Sequence, residues 1–439
     1  MPQLRPPPQV LDIALRLESH GFEAWCVGGA IRDVLLGHRH LDWDFATSAR
    51  PEQVREIFGS RRTVPVGIEF GTVGVLDADG VMHEVTTFRR DVRTDGRHAE
   101  VEFGVSLDDD LARRDFTINA IAYSPSRDEL RDPFGGRADI DRRVVRAVGD
   151  AEARMREDRL RALRALRFAA RFDFAIEPKT LRAITESAPY LGRLSAERVK
   201  QEIEKTMDQV EYPGRAFSMW KSTGAFTTLI PKLGDATDEE LSVVNFLARP
   251  RIATRPQRRL VRLAALFAGF DTAETMKTLT DLRFSKHDSQ WISTVVGRWN
   301  DVGSDIESAM DKAAEPSDAM VRGWVARLGR LHLGAAMRLG SAVWEARRRA
   351  GGSAPASAAA RRLYRRMLEV AFRDPIDLRD LAVDGDDLQR AGVSGGPTLG
   401  RVLQALLAEV LEDPSRNRTD WLLQKAEQLD RSKKSGTTK

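Results

Sequence analysis

The chain has a single cysteine, Cys26, among 439 residues. One thiol can build neither a disulfide framework nor a thiolate zinc site, and its place inside an apolar stretch fits a reducing compartment such as the cytoplasm. Long apolar runs are lacking as well. None approaches the ~20 residues that a membrane helix needs, and the opening residues MPQLRPPP have no apolar signal-peptide core. No membrane partner is therefore expected. An excess of one charge is also missing: 69 basic residues stand against 65 acidic ones, a net charge of +4, so only local patches can say anything about partners. No low-complexity block interrupts the chain except at its ends, and the closing RSKKSGTTK reads as frayed. What remains is an ordinary globular composition, long enough for roughly two to four domains.

The most informative stretch is residues 22–47, FEAWCVGGAIRDVLLGHRHLDWDFAT. Residues 22–27 form an apolar run suited to a buried strand. Gly28 and Gly29 then turn the chain into a helix expected over 30–36, a turn that brings backbone N–H groups close to any anion lying there. A second strand is expected over 41–46. Its side chains alternate, so Asp42 and Asp44 share one face while Leu41, Trp43 and Phe45 share the other. The two aspartates would stand roughly 7 Å apart, close enough to hold metal ions ~4 Å apart between them. A phosphate-binding turn beside paired carboxylates points to metal-assisted phosphoryl transfer.

Further along, helical spacing marks 10–19, and Pro51 at a first turn starts a helix over 51–58. Runs 72–76 and 81–87, joined by 77–80, read as a hairpin. Glu84 faces away from Val81 and Val85 on its second strand, either as a third carboxylate for metal or proton or as a surface residue. Residues 90–100, RDVRTDGRHAE, carry almost nothing apolar and are expected to be a mobile excursion. A short helix from Asp108 leads into Arg113, Arg114 and Asp115. These could grip a triphosphate and ribose, or simply close a helix end with ion pairs. The stretch 132–136, DPFGG, reads as a turn.

From residue 151 the strand signal fades and the pattern is helical. In 158–172, DRLRALRALRFAARF, Leu163, Leu166 and Ala170 centre on one side; Asp158, Arg161, Arg164 and Arg167 sweep the other. Asp158 and Arg161 are three apart and so placed to pair. Ser195 is a natural N-cap for a helix over 196–207. Residues 343–366 hold seven arginines against one glutamate, with Trp344 and Tyr364 among them. Arg347, Arg348, Arg349 and Arg365 there are candidates to meet an RNA backbone, the alternative being a solvated linker around GGSAPASAAA. SGGPTL at 394–399 opens a helix expected over 400–411, either as a phosphate-binding turn or as a plain helix start.

Placed in order, several segments resemble bacterial tRNA nucleotidyltransferases of the CCA-adding and poly(A) polymerase family. They are VGGAIRD, LDWDFAT, EVTTFR, RRDFTINAIAY, DPFGG and EDRLRALRALRFAARF, with LSAERVKQEIEK and LAVDGDDLQRAGVSGGPTLGRVL later. The resemblance is dense over 22–210 and thinner beyond. It implies an α+β chain: a nucleotidyltransferase head over 1–140, a helical neck over 141–210, a body over 211–335 and a tRNA-binding tail over 336–439. It also implies Asp42 and Asp44 as Mg²⁺ ligands and catalytic residues with Glu84 as a third carboxylate. Gly28, Gly29, Arg32, Arg114 and Asp115 would bind the nucleotide, and Asp158, Arg161, Arg164 and Arg167 would read its base. An HD-type phosphohydrolase activity, found in some relatives, is not expected, because His287 and His332 are the only histidines of the C-terminal half. The loop at 90–100 is not obviously shortened, as it tends to be in members that add only CC, which leans toward an enzyme able to add A.

The expected chemistry is attack of an RNA 3′-hydroxyl on the α-phosphate of CTP or ATP, with pyrophosphate leaving. Base choice follows from donors and acceptors. A carboxylate only accepts and a guanidinium only donates. Cytosine and adenine each present an amino donor beside a ring acceptor, which Asp158 and Arg161 complement. Uracil and guanine present the reverse, leaving buried groups unpaired, which is worth several kcal/mol of rejection. Alternatives are a poly(A) polymerase, a CC-adding or A-adding partial enzyme, a small-molecule nucleotidyltransferase, and a non-catalytic RNA-binding protein.

Overall fold

In the computed structural model the described residues are 4–38, 43–94, 99–247, 256–312 and 315–434. They fall into two compact units, residues 1–235 and 236–439. Among them no helix is long and apolar enough to cross a membrane.

The first unit is built on strands β1 (Ala24–Val27), β2 (Asp44–Thr47), β3 (Thr63–Gly67), β4 (Thr72–Leu76) and β5 (Met82–Thr87). A separate pair follows, β6 (Arg89–Thr94) and β7 (Ala99–Phe103), and then β8 (Ala122–Ser124) and β9 (Glu129–Arg131). Seven of these make one mixed sheet in the order β3-β4-β5-β2-β1-β8-β9. All four residues of β1 are buried, as its unbroken apolar run requires at a central position. β2 runs antiparallel to β1, with Val27 opposite Asp44 and Cys26 opposite Phe45. It runs parallel to β5, with Phe45 beside Val85. Trp43 and Phe45 are buried while Asp44 is exposed, so the expected alternation holds over these three residues; Ala46 and Thr47 beyond them are both buried. Asp42 lies outside the described residues.

The excursion expected at 90–100 is corrected. β6 and β7 pair antiparallel, from Arg89 opposite Phe103 to Thr94 opposite Ala99. A backbone ladder needs no apolar side chains, and at its start the Arg90 guanidinium lies 2.6 Å from the Glu102 carboxylate across it. Residues 95–98 lie outside the described set.

The helices of this unit begin with α1 (Pro8–Ser19), α2 (Gly29–Leu35), α3 (Pro51–Phe58), α4 (Leu107–Ala112) and α5 (Gly136–Asp141). They continue with α6 (Ala151–Glu157), α7 (Leu160–Phe172), α8 (Pro178–Ser187) and α9 (Ala196–Gln209). Ser195 occupies the N-cap of α9, but its side chain makes no capping bond. Asp132 closes the turn before α5 by accepting from the amides of Gly136 and Arg137.

Every secondary-structure element among the described residues of the second unit is a helix. Residues 343–366 are a linker only over 350–356. They end one helix, Arg330–Arg349, and begin another, Ser357–Arg373. Trp344 is fully buried, edge-on to Trp299 at 5.3 Å between ring centroids, so it is core and not a stacking surface. The last segment has its own apolar core of Leu388, Leu406, Val410, Leu422 and Ala426. SGGPTL becomes the start of the helix Pro397–Glu412, entered through Gly396 at φ +72°.

Candidate active site

A cavity of about 490 Å³ opens in the first unit where α2, α7 and α9 converge with the exposed end of β2. Eight cationic side chains line it against three carboxylates, Asp44, Asp115 and Asp158. A site so charged calls for a polyanion.

One wall is the turn between β1 and α2. Gly28 has φ +76°, and a Cβ there would come 3.2 Å from Arg114 Nη1. The backbone conformation favours glycine, and a side chain there would also press on the Arg114 guanidinium. Arg114 and Arg113 are held by one buried carboxylate, Asp110, at 3.2 and 2.8 Å. Burial alone would raise the Asp110 pKa; the two guanidinium groups outweigh it and hold the group below the ordinary carboxylate range.

Arg32, expected at the triphosphate, lines the cavity but is almost fully buried. Its Nε and Nη2 donate to Asp33 at 2.8 and 2.7 Å, and Nη1 donates to Asn119 Oδ1 at 2.6 Å. Asn119 Nδ2 donates on to Asp115 at 2.9 Å, and Arg164 Nε donates to the other oxygen of Asp115 at 2.9 Å. Burial would push Asp115 up, but Arg164 and Asn119 pull it below its ordinary value, so it is an anion wired into the wall. Under this network lie Phe168 and Phe172, stacked 6.0 Å apart. The guanidinium carbons of Arg32, Arg164 and Arg167 sit 5.0, 5.3 and 4.5 Å from the Phe168 centroid, and that of Arg171 sits 4.8 Å from Phe172. An aromatic floor attracts the cations that repel one another above it.

The expected pairing of Asp158 with Arg161 is not seen. Asp158 has extended backbone angles at the end of α6, and α7 starts only at Leu160, so helical three-residue spacing does not apply. Each has its own partner. Arg198 donates to Asp158 at 2.7 Å; Arg161 donates to Glu157 at 2.8 Å and to the Arg113 carbonyl at 3.0 Å. Both side chains nonetheless line the one cavity. Arg167, expected among the base readers, is buried and donates to the buried Glu202 at 2.7 Å.

Asp44 lines the cavity from β2. Continuing the parallel register one step back from Phe45 and Val85 sets Glu84 beside Asp44, and both are exposed on that face. Two neighbouring oxygen donors fit a hard divalent cation.

Sequence reasoning missed Asn119, Phe168, Arg171, Lys205 and Gln209, which also line the cavity. Asn119 sits inside RRDFTINAIAY and Lys205 ends LSAERVKQEIEK, so both motifs held a signal that was not assigned to a residue. Arg171 extends the four-residue spacing of Arg167, and its Nη2 donates to Asp33 at 3.0 Å.

This sheet, with a glycine turn facing a carboxylate strand, defines a nucleotidyltransferase-type head, and residues 24–146 match the Poly A polymerase head domain. Residues 173–236 match a probable RNA and SrmB-binding site of polymerase A. The CCA-adding enzyme of Geobacillus stearothermophilus is 42% identical over 258 residues, 58% of this chain and 62% of its own length. That of Streptococcus thermophilus is 49% identical over 201 residues, 45% of this chain and 49% of its own length. The crystal structure of the Bacillus stearothermophilus CCA-adding enzyme in complex with CTP is 32% identical, covering 99% of this chain and 100% of that one with a TM-score of 0.71. The chain belongs to the CCA-adding enzyme family. A Thermotoga maritima CCA-adding enzyme, at 21% identity and a TM-score of 0.65, shares the fold.

Proposed function

We propose that this protein adds C and A nucleotides to the 3′ end of tRNA from CTP and ATP, releasing pyrophosphate without a nucleic-acid template. The observation that carries this is one cavity holding Asp44, the Gly28–Gly29 turn, Arg114, Asp158 and Arg161 together. The turn and Arg114 offer donors to the triphosphate, and Asp44 faces them across the same space. Asp158 keeps acceptor capacity beyond its bonds from Arg198 and the Leu160 amide, since a carboxylate can accept about four. Arg161 gives only part of its fork of about five N–H donors to Glu157 and two carbonyls. Separate partners hold the two groups in place, so they can address a base edge without pairing with each other.

Mg²⁺ is the cation this reading calls for, with Asp44, Glu84 and the Asp42 of the sequence motif to hold it. When bound, it supplies a lowered pKa for the attacking hydroxyl and neutralises charge on the triphosphate. The reading divides the chain into head 1–140, neck 141–210, body 211–335 and tail 336–439, and sets it in a reducing cytoplasm where one buried thiol is safe. The segment 90–100, which is not obviously shortened in the sequence, leans this reading toward an enzyme able to add A over one that stops at CC. tRNA transcripts lacking their 3′ end, or ending in C or CC, incubated with each labelled nucleotide test it. Two C additions followed by one A are expected. Run-on A addition, or arrest after CC, would replace this function with a poly(A) or partial one.

A further inference from the structure

His83 stands on β5 beside Glu84, is 2% exposed, and points away from the cavity. Its Nδ1 lies 3.0 Å from the carbonyl oxygen of Trp43, and its Nε2 lies 3.2 Å from Asp77 Oδ2. A carbonyl only accepts, so Nδ1 is the donor. Asp77 is fixed in turn at the β4–β5 hairpin, where its other oxygen accepts from the amides of Asp79 and Val81 at 2.9 and 2.8 Å. The parallel pairing of β2 with β5 is registered from Phe45 and Val85 onward. At Trp43 it is the imidazole that takes the carbonyl. A side chain thus ties the two strands together two residues before the first registered pair, where the chain enters the metal-holding strand. Trp43 is the residue between the two aspartates of the sequence motif, and it is itself fully buried. An aliphatic side chain at 83 would fill the same core without burying polar groups, which is costly unless they are bonded. The polar choice has its consequence at Trp43.

We propose that His83 is a positioning residue of the active site: with Asp77 behind it, it clamps the Trp43 carbonyl and so fixes the entry of β2, and with it the height and direction of the Asp44 carboxylate. The inference rests on the reading of Asp44 as a metal-holding group. A carboxylate displaced by even ~1 Å at a two-oxygen metal site costs up to a hundredfold in rate, so a clamp outside the cavity has leverage on chemistry without touching substrate.

Three substitutions at 83 separate a clamp from core filling. Asn carries its amide nitrogen where His carries Nδ1, Gln carries it nearer Nε2, and Leu carries none. The expected results are that His83→Leu and His83→Gln lower kcat for C addition about tenfold with KM for CTP within twofold. Both should weaken Mn²⁺ binding measured by the free-ion paramagnetic resonance signal, and both should speed amide exchange at Asp44–Thr47. His83→Asn should restore all three. Equal behaviour of the Asn and Gln variants, or a His83→Leu protein with unchanged kcat and Mn²⁺ binding, overturns the proposal. Asp44→Asn is the companion. If that folded variant keeps turnover and Mn²⁺ binding, the metal reading falls and the inference with it. If it is inactive while His83→Leu is normal, the inference alone falls.

Discussion

Two arginine-rich regions look alike in sequence and differ in the folded chain. In α7, Arg164, Arg167 and Arg171 all reach carboxylates that are 10% exposed or less, on Asp115, Glu202 and Asp33. In the second unit, Arg347 pairs with Glu307 and Arg349 with Glu345, which also takes Arg348. Yet Arg361, Arg362 and Arg365, on the exposed face of the helix Ser357–Arg373, make no ion pair among the described residues. The lesson is one of dielectric. Charges that are buried and paired are fixed parts of a scaffold whose geometry they define. Exposed charges without a protein partner keep their counterions and can exchange them for phosphates. An arginine count cannot tell the two apart; the position of the acids can.

The largest effect should come from the acid the cleft cations face. Asp44→Ala is expected to lower nucleotide addition by ~10³ or more, since a metal-holding carboxylate supplies several kcal/mol of charge stabilisation. Fold and RNA affinity should stay near normal, checked by circular dichroism and filter binding. Near-normal turnover in a folded variant would mean that the cleft's cations serve binding alone. Glu202→Ala comes next and sharpens the buried side of the comparison. It strands Arg167, which is 3% exposed, without its carboxylate. Breaking such a pair costs about 3–5 kcal/mol. Urea unfolding of the variant should show that loss, whereas Arg349→Ala, at a partner pair largely in water, should change stability by under ~1 kcal/mol.

Asp158→Ala acts on specificity. The glycine turn and Arg114 would still hold the triphosphate, but no acceptor would penalise the carbonyl of UTP. Misincorporation of U and G relative to C and A should rise by up to a few kcal/mol of lost discrimination. Arg161→Ala should weaken all bases together, through loss of a donor and of the tie between Glu157 and the Arg113 carbonyl. An unchanged nucleotide ratio in Asp158→Ala would make this wall structural and move base choice to other residues.

Why some of this was legible and some was not follows from distance along the chain. The β1–α2 turn, the β4–β5 hairpin and the alternation of Trp43, Asp44 and Phe45 are set by neighbours within a few residues, so pattern alone finds them. The hairpin β6–β7 was hidden because its ladder is made by backbone groups, which carry no residue code, while its side chains read as a charged loop. The partners of the α7 arginines were hidden by separation: Arg164 meets Asp115 49 residues away, Arg167 meets Glu202 35 away, and Arg171 meets Asp33 138 away. Spacing on a helix suggested that Asp158 would pair with Arg161, and the extended backbone of Asp158 in the two-residue break between α6 and α7 was enough to part them. The clamp at His83 joins residues 40 apart through a carbonyl, a contact with no signature in sequence at all.

The smallest expected effect tests the exposed side of the comparison, with two triple substitutions. Replacing Arg361, Arg362 and Arg365 by glutamine should leave stability within ~0.5 kcal/mol, because these side chains are exposed and away from caps or buried partners. If each meets one phosphate of a bound tRNA, the slope of log affinity against log salt should fall by up to about 2–3. Replacing Arg347, Arg348 and Arg349 removes cations that already have carboxylates, so the salt slope should change less and stability more. Arg347 bridges to Glu307 on the neighbouring helix Lys286–Met310, and Arg348 also reaches Ser357, across the turn that joins the two arginine helices. The ordering of the two triples is the point of the test. If the paired triple moves the salt slope as much as the unpaired one, then pairing within the protein does not withhold an arginine from RNA, and the distinction drawn between the two regions fails where it is easiest to measure.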